Sequence, residues 1–208
     1  MRERGMCSNG TAVNPEHTPE ALRDEMRSIE RAFLIGVPEA TEVWLVRHGD
    51  CYDDMDKLDD PPLSALGREQ ARRLGARIRR LHVDAVYSSP LRRAHETAAA
   101  LAGDVRLDPR LVEVATNLEA GRVEVKEQPE QVVERMRAAV ADVVAAHPGG
   151  RVVMVGHGVA ILGYVCDVLR LEFGSLRLLP YYTSVNVVRV LGERRMVGAL
   201  ADVAHLEA

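Results

Sequence analysis

The chain has 208 residues, of which 47% are hydrophobic and 28% are charged. A chain of this length and composition is typical of one globular domain, or at most two small ones, with a core that needs no disulfide bonds. The net charge of −4 is not that of a protein that binds nucleic acid or an anionic membrane surface, so neither partner is expected.

The cysteines and the N-terminus favour a cytoplasmic location. Cys7, Cys51 and Cys166 have neither the spacing of a zinc site nor that of a disulfide framework, which fits a reducing compartment. The N-terminus lacks the apolar segment of a signal peptide. No apolar run reaches the ~18 residues that are needed to span a membrane.

The first 40 residues fall into two parts. Residues 1–17 are polar and contain Gly, Asn and Pro, so we expect a disordered tail. Residues 18–40 are expected to form a helical extension that Thr18 caps and Pro19 begins. Apolar residues repeat along this helix at intervals of four, three and four, namely Leu22, Met26, Ile29 and Phe33. We expect this stripe to pack on the main domain or on a second copy of the chain, which would form a homodimer.

Residues 41–208 are expected to form the main domain, in which strand and helix patterns alternate. Short apolar runs predict strands at 43–46, 83–87, 151–155, 185–191 and 195–200. Helices are predicted at 64–80, 91–102, 131–147 and 159–171. Ser64 is the expected cap of the first of these helices, and Leu66, Leu74 and Ile78 are its expected apolar positions. The alternation predicts an α/β fold with three layers (α/β/α) around a mainly parallel central sheet.

Polar clusters directly follow three of the predicted strands. They are Arg47-His48-Gly49, Ser88-Ser89-Pro90-Leu91-Arg92-Arg93 and Gly156-His157-Gly158. Ligands of open α/β sheets bind at the carboxyl ends of the strands, so these clusters are expected to converge there.

Histidines and arginines in this arrangement suit phosphoryl transfer. A neutral imidazole nitrogen can attack phosphorus and form a phosphohistidine, which divides one difficult step into two easier ones. Arginine guanidinium groups match the geometry and charge of the transferred group. A second histidine would add another charged donor if it were protonated. A lone histidine after a strand is more often a structural residue, and only the conjunction of three clusters favours the catalytic interpretation.

Four segments in this order closely resemble the histidine phosphatase superfamily, in its phosphoglycerate-mutase-like branch with the RHG signature. They are LVRHGD (45–50), DPPLSALGREQARRLG (60–75), VYSSPLRRAHETA (86–98) and VVMVGHGVAI (152–161). The resemblance covers about residues 41–200. It implies a phosphoglycerate-mutase-like fold, a small phosphorylated substrate, and a reaction that needs no metal and no cofactor.

The resemblance also implies roles for single residues. His48 matches the phosphorylated nucleophile, and Arg47 matches the phosphate-binding arginine beside it. Arg93, rather than Arg92, matches the second phosphate-binding arginine because it directly precedes alanine. His157 matches the second histidine of the phosphate pocket. Glu113, in the segment Leu111-Val112-Glu113, matches the general acid, although a surface carboxylate is the simpler alternative.

The chain departs from the family pattern around both carboxylates. Asp50 stands where the family often has glutamate, and the asparagine of RHGExxxN is absent; Asp50 is therefore the alternative general acid. No tryptophan follows Glu113, which implies a substrate specificity unlike that of the glycolytic enzymes. Acidic residues follow nearby, at Asp53, Asp54, Asp56, Asp59 and Asp60. They would disfavour a highly anionic substrate, or they form a solvated loop.

Several further residues have two interpretations. Cys51 is a reactive thiol beside the nucleophile, or it only fills space in the loop. Tyr181 and Tyr182 line the mouth of the pocket, or they pack against the sheet. The arginines crowded on the predicted helix at 64–80 form its solvated face, or they bind an anion or a partner.

The spacing of the clusters favours a phosphatase over a mutase. Arg93 and His157 are only 64 positions apart, whereas the resemblance implies a much larger insertion here in cofactor-dependent mutases. A short segment leaves the pocket open to water, which would hydrolyse the phosphoenzyme. The alternatives are a phosphoglycerate-type mutase, a protein-phosphohistidine phosphatase and a non-catalytic module that binds a phosphorylated ligand.

Overall fold

The computed structural model describes residues 18–52, 59–119 and 122–207. The predicted tail at 1–17 and the acidic residues Asp53, Asp54 and Asp56 lie outside the described residues. The chain divides into two compact units, one ending at Val37 and the other beginning at Pro38.

The first unit contains helix α1 (Pro19–Ala32). The Thr18 hydroxyl accepts a hydrogen bond from the backbone N–H of Ala21 at 3.2 Å, so the predicted cap is confirmed. All four side chains of the predicted apolar stripe are exposed, at 48–57%. That this stripe packs on the main domain or on a second copy of the chain stays a prediction.

The second unit is built on a sheet that six of the described strands form, in the order β3-β2-β6-β1-β7-β8. Its members are β1 (Thr41–Arg47), β2 (Ala85–Ser88), β3 (Arg106–Leu107), β6 (Arg151–Gly156), β7 (Val185–Leu191) and β8 (Arg194–Asp202). The β3–β2, β2–β6 and β6–β1 pairs are parallel, and the β1–β7 and β7–β8 pairs are antiparallel. A separate hairpin joins β4 (Thr116–Glu119) to β5 (Arg122–Val125). The predicted mainly parallel sheet is confirmed.

Four helices accompany the strands in this unit. They are α2 (Ala65–Ile78), α3 (Arg92–Ala99), α4 (Pro129–Ala146) and α5 (Gly158–Val168). The Ser64 hydroxyl accepts a hydrogen bond from the Gly67 N–H at 3.0 Å, as expected of the cap of α2. Leu74 and Ile78 are buried, but Leu66 is 56% exposed, so its assignment to the apolar face was wrong. Leu66 lies in the first turn of α2 and, among the described residues, does not belong to the apolar cluster that contains Leu74 and Ile78.

Alternate residues of the central strands belong to two apolar clusters. Val43 and Leu45 of β1 pack with residues of α4 and α5. Trp44 and Val46 pack with residues of α2 and α3. Side chains of successive strand residues point to opposite faces, so both faces of β1 are covered. Within the described ranges, no helix combines the length and the apolar character that a membrane span requires.

Candidate active site

The three polar clusters lie side by side at the carboxyl edge of the sheet. β2, β6 and β1 are neighbours, and each ends where a cluster begins. The His48 N–H donates to the Gly156 carbonyl at 2.9 Å, and the Ser89 N–H donates to the Val155 carbonyl at 2.9 Å. These hydrogen bonds extend the strand pairing into the clusters. The sheet backbone therefore fixes the positions of the Cα atoms that carry the polar side chains.

The neighbours of His48 define which ring nitrogen carries its proton. Nδ1 lies 2.7 Å from the Gly49 carbonyl oxygen, which can only accept, so Nδ1 must donate. The Arg93 Nε–H, which can only donate, points at His48 Nε2 at 3.3 Å. Nε2 therefore carries the lone pair, and it faces a guanidinium group.

Both histidines are held in the neutral form. Burial, assisted by the charges of Arg93 and Arg47, lowers the pKa of His48 to about 3. Burial also lowers the pKa of His157, to about 2, with smaller contributions from His48 and Arg93. A neutral His48 is a competent nucleophile at pH 7. The sequence left open a protonated His157, and its burial, together with the charges of neighbouring arginines, argues against that form.

Arg93 and Arg92 point to different surroundings. Arg93 is largely buried and contacts His48, and its Nη1 lies 3.4 Å from a carboxylate oxygen of Asp60. Arg92 instead pairs with Glu96 at 2.7 Å on the exposed side of α3. Asp60 is thus bound to the arginine proposed to hold phosphate, which the solvated-loop interpretation of the acidic residues did not foresee.

Arg47 is held from two sides, and neither contact uses its Nε. Its Nη1 donates to the Pro180 carbonyl at 2.8 Å, and its Cζ lies 4.0 Å from the ring centroid of Tyr182, in a cation–π contact. Its Nε is buried and has no hydrogen-bond partner among the described residues. Tyr182 is buried and Tyr181 is exposed, so Tyr182 is part of the site. A Cβ at Gly158 would lie 3.3 Å from Arg47 Nε, so glycine there leaves room for this side chain.

His157 is fully buried beside His48. The two ring centroids are 5.0 Å apart. Its Nε2 lies 3.0 Å from the Ser89 hydroxyl oxygen, which also accepts from the Leu91 N–H at 3.3 Å. Ser89 therefore orients His157, a role that the sequence gave no reason to assign.

Glu113 lies at the N-terminus of α5, the helix that His157 precedes. One carboxylate oxygen accepts from the Ala160 N–H at 3.1 Å, and the other accepts from the Val159 N–H at 3.3 Å. The carboxylate is partly buried, so it is not the surface carboxylate of the simpler alternative. These two amide donors fix the orientation of the Glu113 carboxyl group.

Asp50 ties the His48 loop to the start of α2. Its carboxylate accepts from the Ser64 hydroxyl at 2.5 Å, and its N–H donates to the Gln70 side chain at 2.9 Å. The backbones approach closely here, because a Cβ at Gly67 would lie 2.0 Å from the Asp50 carbonyl oxygen. These bonds give Asp50 a structural role that Glu113 does not share.

Cys51 and metal ions have no evident part in this arrangement. Cys51 is buried, and this burial raises the pKa of its thiol, which favours the space-filling interpretation. Among the described residues, no group of His, Cys, Asp and Glu side chains could hold a metal ion.

A second support of the catalytic backbone comes from the far end of the chain. The Thr183 N–H donates to the carbonyl oxygens of Arg47, at 3.0 Å, and of His48, at 3.3 Å. Thr183 has a φ of +58°, a strained conformation for a β-branched residue. Its hydroxyl lies 2.9 Å from Nε2 of the buried His205. The sequence pattern contains no signal for either residue.

Known proteins resemble this chain in sequence and in fold. A family model described as histidine phosphatase superfamily (branch 1) matches residues 43–125 and 115–203. A probable phosphoglycerate mutase GpmB of Enterobacter sp. (strain 638) is 28% identical over 205 residues, which cover 80% of this chain and 95% of the relative.

Solved structures match at a similar level. YhfR of Bacillus stearothermophilus has a TM-score of 0.69 and 26% identity, over 80% of this chain and 100% of that one. A mycobacterial glucosyl-3-phosphoglycerate phosphatase has a TM-score of 0.63 and 24% identity, over 77% of this chain and 98% of that one.

Proposed function

Because the chain belongs to the histidine phosphatase superfamily, we propose that it hydrolyses small phosphomonoesters through a phosphohistidine on His48. One observation carries this proposal: the lone pair of His48 Nε2 faces the Arg93 guanidinium, 3.3 Å from its Nε. A nucleophile and a phosphate-binding cation thus adjoin the same position. We further infer a three-layer α/β/α arrangement, because one apolar cluster lies on each face of the sheet. We also infer that the protein is cytoplasmic, since Cys51 and Cys166 are free thiols.

In the first step, His48 Nε2 attacks phosphorus while the bond from phosphorus to the ester oxygen breaks. The lone pair of Nε2 becomes the N–P bond, and the leaving oxygen takes the bonding pair together with a proton from Glu113. Arg47 Nε and the Arg93 guanidinium donate to the equatorial oxygens of the transferred group, where charge accumulates. Arg93 exchanges its contact with Nε2 for one with phosphate as the substrate enters.

In the second step, water attacks the phosphorus of the phosphohistidine. The N–P bond breaks, its electron pair returns to Nε2, and the proton of water passes to the Glu113 carboxylate. His157 and Ser89 hold their hydrogen-bonded position beside the phosphate through both steps. The products are an alcohol and inorganic phosphate, and the enzyme regains its starting protonation.

The short segment between Arg93 and His157 supports hydrolysis over phosphate transfer to a second molecule. Between α3 and β6 the described chain contains the β4–β5 hairpin and α4 as its longest parts. The hairpin strands have four residues each, so this segment is short for a cap that must exclude water from the phosphoenzyme. A phosphoglycerate-type mutase is the second candidate, since relatives at 28% identity carry that name.

Replacement of the nucleophile tests the proposal directly. We expect His48→Ala to abolish hydrolysis of p-nitrophenyl phosphate, and we expect the wild-type protein to form an acid-labile, base-stable phosphoryl adduct at His48 on rapid quenching. His82→Ala is the matched control, because His82 is an exposed histidine outside the site. Unchanged turnover in His48→Ala, with a folded protein by circular dichroism, would refute the phosphohistidine on His48, whereas a folded wild-type protein without turnover would leave a binding module.

Product analysis separates hydrolysis from isomerisation. The protein is incubated with 3-phosphoglycerate in the presence and absence of 2,3-bisphosphoglycerate, and the products are followed by ³¹P NMR. Release of inorganic phosphate supports the phosphatase. Efficient formation of 2-phosphoglycerate without phosphate release would refute it in favour of the mutase.

The leaving group distinguishes Glu113 from Asp50 as the general acid. Loss of the acid matters most for a poor leaving group, which needs the proton in the transition state. We therefore expect Glu113→Gln to lower kcat for an alkyl phosphate by about 100-fold or more and to affect p-nitrophenyl phosphate much less. Asp50→Asn should affect both substrates alike, because Asp50 bonds to Ser64 and supports the loop. The opposite pattern would transfer the role to Asp50.

A further inference from the structure

An arginine-rich groove lies between α2 and the short 3₁₀ helix Ala204–Leu206. It encloses about 400 Å³. Its charged and titratable lining consists of Arg72, Arg73, Arg77, Arg80 and His205. In the part of the chain that the structure describes, the four arginines have no contact with the candidate active site described above, and His205 reaches it only through Thr183.

The groove carries more positive than negative charge. Glu69 binds Arg72 at 2.7 Å and Arg73 at 2.9 Å, and Asp202 binds Arg77 at 2.5 Å. Two carboxylates therefore pair with three of the four guanidinium groups. Arg80 is exposed, and no acidic side chain in the described part of the chain forms an ion pair with it.

Two of the polar side chains are packed in place with hydrogen-bonding capacity to spare. The Arg77 guanidinium lies 5.4 Å from the ring centroid of Trp44, and its Nη1 is buried without a partner among the residues that the structure describes. His205 is only 7% exposed, and its Nδ1 is likewise without a partner there. Buried polar groups are normally hydrogen-bonded, so the Arg77 guanidinium retains an unused donor for an anion. His205 Nδ1 can only accept when Nε2 carries the proton, so His205 supplies no donor of its own to that anion.

We propose that this groove is a second anion site, which binds a small phosphate-bearing molecule. Planar guanidinium forks match phosphate oxygens in geometry and charge, and the volume is in the range of small-molecule pockets. The chain as a whole carries a charge of −4, so the positive potential is local and does not suit a long polyanion such as a nucleic acid.

The groove is connected to the catalytic backbone through one pair of side chains. The Thr183 hydroxyl donates to the Tyr182 carbonyl at 2.7 Å, so His205 Nε2–H is the donor of the 2.9 Å bond to that hydroxyl. The Thr183 N–H in turn holds the carbonyl oxygens of Arg47 and His48. An anion beside His205 therefore acts on a residue that bonds directly to the catalytic loop.

Titration of ¹⁵N-labelled protein with inorganic phosphate, followed by amide chemical shifts, tests the proposal. We expect a saturable set of shifts at Arg72, Ala76, Ala204 and His205, and a second set at Gly49 if phosphate also binds the candidate active site. Sodium chloride at equal ionic strength should produce no saturable shifts. A titration with glucose 6-phosphate shows whether the site also accepts a phosphate ester.

Variants then assign the shifts to the groove. The double variant Arg72→Gln/Arg80→Gln should raise the Kd of the groove for phosphate by about tenfold or more, since it removes two charge-assisted donors, and leave the Gly49 titration unchanged. Arg79→Gln is the control, because Arg79 follows the same helix but does not line the groove. The proposal is wrong if the groove residues show no saturable shifts, or if the double variant titrates like the wild type. Loss of the Gly49 shifts alone would instead count against the proposed catalytic function.

Discussion

Acidification from pH 7 to pH 4.5 should destabilise the protein, because His48 and His157 are buried in their neutral forms. Their native pKa values, about 3 and about 2, lie far below the value of about 6.5 of an exposed histidine. Between these values the unfolded chain binds protons that the folded chain does not. The stabilisation is therefore complete above pH 6.5 and is lost progressively as the pH falls.

The linkage relation gives the size of this effect. A histidine that titrates at about 6.5 when unfolded and at about 3 when folded lowers the free energy of unfolding by about 2.5 kcal/mol between pH 7 and pH 4.5. The same loss applies to His157, so the two histidines together remove roughly 5 kcal/mol. A typical domain has a total stability of roughly 5–15 kcal/mol, so this loss is large.

Urea denaturation at pH 7 and pH 4.5 measures the loss in the wild type and in His48→Asn and His157→Asn. Protonation of carboxylates contributes similarly to all three proteins and cancels in the difference. Each variant should lose about 2.5 kcal/mol less than the wild type over this interval. His82→Asn, at an exposed histidine, should lose as much as the wild type. If His157→Asn also loses as much free energy of unfolding as the wild type, the His157 imidazole of the wild type is not held neutral by its burial.

Two further substitutions test the packing and the charge of the site. Gly67→Ala should lower the free energy of unfolding by about 2 kcal/mol or more, since its Cβ would lie 2.0 Å from the Asp50 carbonyl oxygen; Gly103→Ala, with open space around its Cβ, should be neutral or stabilising in the same urea titration. Asp60→Asn should lower the Ki of inorganic phosphate about threefold, because the Asp60 carboxylate lies 3.4 Å from Arg93 Nη1 and competes with phosphate. This gain should shrink in 0.5 M NaCl, and a higher Ki in the variant would contradict the competition.

The sequence predicted the parts of the site that depend on strand ends. Arg47, His48 and His157 each follow a short apolar run directly, and the parallel pairing of β1 with β6 is enough to bring them to one edge. The choice of Arg93 over Arg92 required the family resemblance as well, because the two neighbours are the same residue type. Successive residues of α3 point in different directions, so Arg93 contacts His48 and Arg92 pairs with the exposed Glu96.

The supporting contacts could not be predicted because they join distant residues through single side-chain atoms. Ser89 and His157 are 68 positions apart, and Thr183 and His205 reach the loop from the end of the chain. A hydrogen bond of this kind leaves no periodicity in the sequence. For Leu66 the sequence predicted a contact that does not form. Its position in the helical pattern indicated burial, but burial depends on which elements pack against that turn of α2, and Leu66 is exposed.

The position of β1 in the sheet determines when the site can exist during synthesis. β1 is paired on one side with β6 and on the other with β7, and Leu45 of β1 stands opposite Asn186 of β7. Pairing across such separations is slow and leaves strand edges open until the late segments emerge. The ribosome must therefore release nearly the whole domain before its central strand acquires both neighbours. A nascent chain stalled before β7 would carry His48, the proposed nucleophile, on an open sheet edge, and chaperones would meet it in that form.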